Sequence, residues 1–473
     1  MRTSAIILTL LLIFFNKQIN AQEAKKPKLV IGIVVDQMKA EYLYRFQDNY
    51  TEKGFKRLME EGFNTKNMHY NYVPTATGSG HASIFTGTTP SNHGIVANSR
   101  YDRSEGRMLN CVEDNSAFLV DNTGVQNRAE FKSFFRSPRS NLVTTVTDEL
   151  KLFSNKRSKV IGISLKDRGA ILPAGHMADY AFWFNNRNGH FITSTYYSKQ
   201  LPDWVVKFNK KCLSDSLLAK KWKPLIPIEN YKDSNIDDAP FERIFKEKEK
   251  SIFPYELDKL KKQNGGYQLL VQTPFGNKLL TQFAKATILG ESLGHGSELD
   301  FLTISYSSTD KVGHDFGIRS KELEDTYVRL DREIQDLLAF LDSHVGKDNY
   351  LLFLTADHGG SDNPEYLHSQ KLPGRFYDVK KIKEELNQKL SNEFGDARYI
   401  SHMDNAQIYI NNHSISKKLV LERTKEYLFE IDGVKDVFIP ALLEGSMNIS
   451  VNKTFVINSY NRKNSGDILY QMY

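Results

Sequence analysis

The sequence predicts an α/β fold built on a doubly wound, mostly parallel sheet. Three observations lead to this prediction: short, almost continuous apolar runs recur along the chain, amphipathic helical patterns separate them, and polar residues directly follow several of the runs. Strands of this kind are typical of parallel sheets, because helices cover both faces of such a sheet. The alternation of strands and helices favours a doubly wound sheet, in which ligands bind beyond the carboxyl ends of the strands.

Four apolar runs are the predicted central strands. They occupy residues 29–35, 160–163, 301–304 and 350–354, and we expect each strand to be buried on both faces. The clearest helix covers residues 323–341, where apolar side chains recur at spacings of mostly three and four among acidic and basic ones.

The N-terminus has the composition of a secretory signal. Arg2 is followed by an apolar stretch at 5–15 and then by a small-residue cleavage site. The apolar stretch is too short to span a bilayer, and the polar residues 16–18 favour cleavage over the alternatives, a membrane anchor or a buried helix. We therefore expect a signal peptide at 1–21 and a periplasmic or secreted mature chain, 22–473, without stable membrane insertion.

A different pattern marks the region from about 170 to 270. Aromatic segments at 180–184 and 191–197 flank Asn188-Gly189, which is typical of a β-hairpin turn. We expect this region to be a cap inserted into a catalytic domain that spans residues 22–473.

Charge and cysteine content narrow the possible functions. The formal net charge is only +6 and no basic stripe is present, so we expect no nucleic-acid partner. Cys111 and Cys212 are the only cysteines, which is too few for a disulfide scaffold. Export would permit one bridge between them, but two free thiols explain the sequence equally well.

Polar side chains follow each of the four predicted strands. In chain order they are Asp36, then Lys166 and Arg168, then Asp310 and His314, then Asp357 and His358. Carboxylate and imidazole groups suit Zn²⁺, and residues four positions apart, such as Asp310 and His314, can hold one metal. A single Asp after a strand is more often a helix cap. Repetition of the pattern at successive strand ends nevertheless indicates a two-metal site.

The segment 74–87 is a candidate nucleophile loop. Its glycines let the backbone approach an anion at a helix N-terminus, and its hydroxyl groups, including those of Thr75 and Thr77, are potential nucleophiles. The alternative is an ordinary Ser/Thr-capped turn, which the metal-type residues elsewhere in the chain disfavour.

Together these segments resemble the alkaline phosphatase superfamily, and more narrowly its PafA-like broad-specificity bacterial phosphatases, which are related to type I phosphodiesterases and nucleotide pyrophosphatases. The resemblance covers nearly the whole mature chain. It is carried by Val35-Asp36-Gln37, 77–87, 94–98, 164–170, Thr309-Asp310 with His314, and 355–359.

The resemblance implies a zinc-dependent phosphatase in which a threonine is the nucleophile. Thr77, rather than Thr75, would attack phosphorus and form a phosphothreonine intermediate. The zinc that activates the Thr77 oxygen would be held by Asp36, Asp357 and His358.

The resemblance also implies a second zinc and a phosphate-binding set. Asp310 and His314 would belong to the second zinc, while Asn98, Lys166 and Arg168 would hold the nonbridging phosphate oxygens. Because a dianionic phosphoryl group needs positive charge, the Lys-x-Arg pair favours small phosphate monoesters as substrates. A phosphodiesterase or phosphonate monoesterase on the same scaffold is the alternative. A sulfatase is disfavoured further, since its nucleophile motif is absent.

One ligand of the family pattern is missing from the sequence. The family supplies a His within a His-Gly segment near the C-terminus to the second zinc, but His368, His402 and His413 are not followed by Gly. Two protein ligands would hold zinc weakly. The last residues form an apolar strand pattern without a stop signal, so we expect that the C-terminal end of the fold is missing from the chain. The alternatives are an enzyme with one firm metal site or a noncatalytic relative.

Overall fold

The computed structural model describes residues 26–411, 415–443 and 450–472. The signal peptide predicted at 1–21 lies outside these residues. No helix within the described ranges combines the length and the apolar character needed to cross a membrane.

The structure alternates helices and strands along most of its length. The strands are β1 (Leu29–Val35), β2 (Ser99–Asp102), β3 (Arg107–Asn110), β4 (Leu119–Asp121), β5 (Gly124–Gln126), β6 (Val160–Ser164), β7 (Tyr180–Asn185), β8 (His190–Ser194), β9 (Lys221–Trp222), β10 (Tyr255–Glu256), β11 (Asp300–Tyr306), β12 (Tyr350–Thr355), β13 (Ile400–Asp404), β14 (Gln407–Ile410), β15 (Val434–Phe438) and β16 (Ile468–Met472). The α-helices are α1 (Tyr42–Arg45), α2 (Phe55–Glu61), α3 (Thr77–Thr86), α4 (Pro90–His93), α5 (Val146–Phe153), α6 (Asp167–Ala174), α7 (Asp203–Asn209), α8 (Leu213–Leu218), α9 (Leu257–Leu260), α10 (Gln268–Val271), α11 (Phe275–Glu291), α12 (Ser308–Phe316), α13 (Lys321–Leu341), α14 (Pro364–Ser369), α15 (Val379–Phe394), α16 (Lys417–Phe429) and α17 (Val451–Ser459). Short 3₁₀ helices lie at Gln47–Asn49, Ala129–Phe134, Ile228–Asn230 and Pro440–Leu442, and a π-helical turn at Asp342–Gly346 follows α13.

An eight-stranded sheet forms the centre of the fold, in the order β12-β1-β11-β6-β7-β8-β4-β5. The strands from β12 to β7 are parallel, whereas β8, β4 and β5 are antiparallel to their neighbours. The four predicted strands, β1, β6, β11 and β12, lie side by side, so their carboxyl ends meet at one edge of the sheet. The predicted α/β class with a mostly parallel sheet is confirmed.

Helix α13 confirms the predicted amphipathic pattern. Its apolar positions are all buried: Leu323, Tyr327, Leu330, Ile334, Leu337, Leu338 and Leu341. Each large apolar side chain removed from water stabilises the fold by roughly 1.5–3 kcal/mol. The helix also buries acidic side chains that its pattern did not predict: Glu322, Glu324, Asp325 and Asp331. Each of the four accepts a hydrogen bond from a segment distant in sequence. The backbone amides of Thr51 and Phe55 donate hydrogen bonds to Asp331, for example, and the indole of Trp222 donates to Asp325.

The prediction that the fourth strand is buried on both faces is wrong. β12 is an edge strand of the sheet, most of its residues are half-buried, and Leu351 is 56% exposed. Its apolar composition is that of a central strand. Position in the sheet, which composition does not encode, decides its exposure.

The hairpin predicted around Asn188-Gly189 is present, because β7 and β8 pair as antiparallel neighbours. Both strands extend the central sheet, although they lie inside the range predicted as a cap. After β8 the range leaves the sheet and packs by way of α7 and α8 against α11. Its role as a cap stays a prediction.

The two cysteines do not form a disulfide. Cys111 is buried, Cys212 is exposed, and both are free thiols. The sequence is compatible with one disulfide or with two free thiols, and the structure has two free thiols.

A second sheet lies near the end of the described chain. It is antiparallel, in the order β13-β14-β16-β15, and buries Leu390 of α15 together with Ile408 and Ile468. Just before β16, the side-chain amide of Asn464 donates a 2.7 Å hydrogen bond to the carbonyl of Gly94. This contact ties the second sheet to the loop that carries Asn98.

Candidate active site

The candidate site lies where the four neighbouring strands end. Asp36 follows β1 directly, Asp310 lies in the first turn of α12 after β11, and Asp357 lies two residues beyond β12. Lys166 links β6 to α6, and Thr77 is the first residue of α3. Parallel register brings the carboxyl ends of the four strands to one edge, as the sequence predicted.

One cluster has the donor set of a metal site. Ligand atoms of Asp36, Asp357 and His358 all lie within 4.8 Å of one another. Nε2 of His358 is 3.3 Å from Oδ1 of Asp36 and 3.4 Å from Oγ1 of Thr77. Nδ1 of the same ring is 2.8 Å from the carbonyl of Gly359. Since a carbonyl only accepts, Nδ1 carries a proton there, and Nε2 is the ring nitrogen that faces the cluster, where a metal cation would take the place of its proton.

The buried oxygen of Asp357 also fits a cation. Its Oδ1 accepts hydrogen bonds from the backbone amides of Gln37 and His358, whereas Oδ2 is buried and has no hydrogen bond to any described residue. Nδ1 of His81 is 3.2 Å from that oxygen but only 2.8 Å from the carbonyl of Thr77, its better acceptor. An unsatisfied buried carboxylate oxygen costs free energy unless a cation neutralises it. The cluster therefore suits a divalent metal such as Zn²⁺.

The pKa shifts in the cluster agree with a strongly negative field. Burial raises the pKa of Asp357, and the charge of Asp36 raises it further. Burial alone would lower the pKa of His358, but its hydrogen bond to Asp36 and the charges of both carboxylates raise that pKa to about 9. A field that holds a proton on an imidazole also attracts a metal cation.

A second, smaller group lies beside the first. Nε2 of His314 is 3.1 Å from Oδ1 of Asp310, with Asp310 buried and the His314 side chain 63% exposed. Within the described residues, no third His, Cys, Asp or Glu completes a cluster around this pair. The pair offers two ligands and an open side towards solvent.

Lys166 connects the two groups. Its Nζ lies 2.6 Å from Oδ2 of Asp36 and 2.6 Å from Oδ2 of Asp310, and the residue is only 8% exposed. Burial raises the pKa of Asp36, but Lys166 and His358 outweigh that effect and hold it well below its usual value. The residue predicted to bind phosphate thus neutralises one carboxylate of each metal-type group.

One of the predicted anion-binding residues, Asn98, contacts the start of α3. The backbone amide of Gly78 donates a 2.7 Å hydrogen bond to Oδ1 of Asn98, which fixes the Asn98 side chain beside the buried Thr77. Orphan amides and the dipole at a helix N-terminus favour an anion at this point. Arg168 lies on the adjacent α6 and pairs with Asp167 at 3.6 Å, while its buried Nε has no hydrogen bond to a described residue.

Several residues at the site escaped sequence reasoning. His81 lies four residues after Thr77 on α3, is fully buried, and contacts Thr77, Asp357 and Ser305. Gln37 belongs to the motif Val35-Asp36-Gln37, but the sequence predicts a functional role only for Asp36 in that motif. The contact between Arg136 and Asp167 left no signal, because the two residues meet only in the folded chain.

Gly80, in the candidate nucleophile loop, lies where α3 comes very close to the backbone of Asp357. A Cβ on Gly80 would lie 2.3 Å from the backbone oxygen of Asp357. Glycine therefore allows α3 to pack directly against the chain beyond β12. This packing brings Thr77 to the carboxylate cluster.

Comparisons with known proteins identify the family of this chain. The family model for type I phosphodiesterase / nucleotide pyrophosphatase matches residues 30–453. A Myroides odoratus protein named calcium-transporting ATPase is 43% identical over 99% of this chain and 85% of its own length. Alkaline phosphatase PafA of Elizabethkingia meningoseptica is 43% identical over 94% of this chain and 81% of its own.

The fold of PafA is also close to that of this chain. The crystal structure of wild-type alkaline phosphatase PafA superposes with a TM-score of 0.89 at 42% identity, and covers 95% of this chain and 85% of that one. Family membership implies a metal cofactor, which the carboxylate and imidazole cluster can hold. The chain therefore belongs to the type I phosphodiesterase / nucleotide pyrophosphatase family and is a PafA-like enzyme of the alkaline phosphatase superfamily.

Proposed function

We propose that the chain hydrolyses phosphate monoesters through a phosphothreonine intermediate on Thr77, with zinc as its metal. One observation carries the proposal. Oγ1 of Thr77 lies 3.5 Å from Oδ1 of Asp36 and 3.4 Å from Nε2 of His358, at the N-terminus of α3. A hydroxyl in this position adjoins both a metal-type cluster and an anion-binding backbone.

The chain's own residues divide the chemistry between them. When bound, zinc would act as a Lewis acid that lowers the pKa of a hydroxyl and offsets charge on the leaving oxygen. Oγ1 of Thr77 gives up its proton and attacks phosphorus, so that the new P–O bond forms as the bond to the leaving oxygen breaks, and that oxygen takes up a proton to leave as the alcohol. Water then attacks phosphorus on the opposite side from Oγ1 and breaks the Thr77–phosphorus bond. One proton of this water restores the Thr77 hydroxyl, and the other leaves with the phosphate. Two in-line displacements give net retention of configuration at phosphorus.

The monoester preference rests on positive charge near the nucleophile. Lys166 bridges Asp36 and Asp310, and Arg168 follows it by two residues on α6. The planar Arg fork and the Lys point charge suit the equatorial oxygens of a dianionic phosphoryl group. Asn98, held by the amide of Gly78, is the proposed third contact.

The proposed second zinc would use Asp310 and His314. Two protein ligands bind zinc more weakly than three, so the cluster containing Asp36 should fill first. Titration of metal-free protein with zinc, followed by direct metal analysis, should show one tight and one weaker site.

The predicted signal peptide at 1–21 makes a periplasmic or secreted location part of the proposal. The name of the Myroides odoratus relative refers to calcium transport. The residues of this site suit phosphoryl transfer and give no support to calcium transport.

The test compares Thr77→Ala with Thr75→Ala, its exposed neighbour in the same loop. With saturating zinc and a radiolabelled aryl phosphate, the wild-type chain and Thr75→Ala should turn over substrate and retain label on Thr77 after an acid quench. Thr77→Ala should do neither. Absence of turnover by the wild-type chain under saturating zinc would refute the function, and faster hydrolysis of diesters than of monoesters would refute the substrate class.

A further inference from the structure

We infer that Gln37 is a positioning residue that joins the two metal-type groups, through its backbone to one and through its side chain to the other. The inference rests on the two-metal site of the proposed function. It adds a residue that touches neither the proposed nucleophile nor the proposed phosphate contacts.

The contacts of Gln37 point in two directions. Its backbone amide donates a 3.1 Å hydrogen bond to Oδ1 of Asp357, in the first cluster. Its side-chain Nε2 donates a 3.2 Å hydrogen bond to Oδ1 of Asp310, in the second group. One residue, only 6% exposed, therefore holds one carboxylate of each group.

The backbone of Gln37 is unusual for this residue type. Its φ angle is 65°, in the left-handed region that glycine adopts freely and other residues rarely occupy. Such conformations persist at functional sites when the surrounding structure compels them. The turn directly after Asp36 is what allows the amide of Gln37 to face Asp357 while its side chain extends to Asp310.

Two glycines make room for the Gln37 side chain. A Cβ on Gly313 would lie 2.0 Å from Oε1 of Gln37, and a Cβ on Gly360 would lie 3.2 Å from its Cδ. Gly313 precedes His314 on α12, and Gly360 lies two residues after His358. The side chain is thus enclosed by the two segments that carry the imidazole ligands.

The two contacts respond differently to substitution. The backbone bond to Asp357 survives any side-chain change that keeps the turn, whereas the bond to Asp310 requires the side-chain N–H. Hydrogen bonds to a ligating carboxylate fix its orientation, and loss of one typically weakens metal binding about 10- to 100-fold. Substitution of the Gln37 side chain should therefore weaken the second site selectively.

The test uses Gln37→Met, which keeps the length of the side chain but removes its N–H donor. Zinc affinities of metal-free protein are measured by chelator competition, independently of turnover. We expect the affinity of the tighter site to stay within about twofold of wild type, and that of the weaker site to fall about 10- to 100-fold. Excess zinc should then restore kcat in the variant.

Two further variants separate positioning from folding. Gln37→Gly adopts the left-handed turn without strain and also lacks the side-chain N–H, so it should show the same selective zinc loss. Gln407→Met removes a buried Gln in the second sheet, where Gln407 accepts a hydrogen bond from the amide of Gly466. This control should leave both zinc affinities unchanged.

The inference fails if Gln37→Met and Gln37→Gly bind both zincs like wild type, or weaken both sites equally, or if wild type binds only one zinc. Each of these results concerns binding alone. Wild-type turnover with unchanged zinc binding in the variants would refute the role of Gln37 and leave the proposed function intact. Selective loss of zinc from the second site in the variants, without turnover by the wild-type chain, would support the role of Gln37 and refute the proposed function.

Discussion

At the scale of single residues, Arg168 is oriented by a chain of charges. Nε of Arg136 lies 2.5 Å from Oδ2 of Asp167, and the other oxygen of Asp167 is 3.6 Å from the guanidinium of Arg168. Arg136 thus fixes the carboxylate that in turn faces Arg168. In the proposed function, this guanidinium acts on the phosphoryl group, and its buried Nε has no hydrogen bond to a described residue.

We expect Arg168→Ala to lower kcat/KM for an aryl phosphate monoester about 10²- to 10³-fold, the usual effect of removing one donor to a developing oxyanion. The loss should be smaller for a diester, whose phosphoryl group carries less charge. Arg168→Lys should recover only part of the rate, because an ammonium lacks the planar fork. Arg128→Ala, at an exposed arginine, is the control. Equal losses for both substrates would contradict the proposed specificity.

Glu242 is a buried acid outside the active site. It is 6% exposed, its carboxylate oxygens have no hydrogen bond to a described residue, and burial raises its pKa to about 8. A raised pKa means that the folded chain holds a proton that the unfolded chain releases. The contribution of Glu242 to the free energy of unfolding is therefore fully present at acidic pH and decreases as the pH rises from about 4.5 towards 8.

We expect Glu242→Gln to remove this decrease in the free energy of unfolding with rising pH. The variant should match wild type near pH 4.5 and exceed it by on the order of 2 kcal/mol in free energy of unfolding at pH 9, since an amide carries no charge to bury. Urea unfolding at the two pH values measures the difference. Glu249→Gln, at an exposed position of the same loop, should show no such dependence. A stability gain that is the same at both pH values would contradict the titration of Glu242.

At the scale of elements, the packing of α3 against the end of β12 depends on a missing side chain. Gly80→Ala would place a methyl group 2.3 Å from the backbone oxygen of Asp357. We expect this overpacking to cost about 1–3 kcal/mol of stability and to weaken zinc binding at the Asp36 cluster, because the Asp357 carboxylate must shift. Thermal unfolding and chelator competition measure the two effects. Gly296→Ala, where the nearest atom to the new methyl is 3.9 Å away, is the matched control and should change neither.

The carboxylate of Asp325 on helix α13 is an anchor for the segment between β9 and β10. Asp325 accepts hydrogen bonds from the indole of Trp222, the hydroxyl of Tyr231 and the backbone amide of Leu225, and pairs with Arg329. The loss of such a partner leaves buried donors unsatisfied, which is costly.

At the scale of the whole molecule, we expect the hydrogen bonds of Asp325 to limit local unfolding of the segment between β9 and β10, which is part of the predicted cap. We expect Asp325→Ala to lower the free energy of unfolding by about 3 kcal/mol and to speed proteolytic cleavage between residues 222 and 256. Asp336→Ala removes an exposed acid of the same helix, where Asp336 pairs with Lys285, and should change stability little. Cleavage at equal rates in both variants would show that Asp325 does not hold this segment.

Much of the fold was predictable because its signals are local. β1 and α13 match the predicted ranges closely, since period and composition follow directly from burial on two faces or on one. The convergence of the residues that follow these strands was predictable too, because parallel strands bring the residues after them to one edge of the sheet. β12 was misjudged as fully buried, because its composition does not reveal that no further strand among the described residues pairs with its outer side.

Local sequence was thus sufficient for the strands, the long helix and the types of chemistry at the strand ends. Tertiary structure alone placed Lys166 between Asp36 and Asp310, turned Gln37 towards both metal-type groups, and brought Arg136 to Asp167. These contacts join segments far apart in the chain, so they depend on strand order and helix packing. No window of sequence contains that information, because it arises only when distant segments share one core.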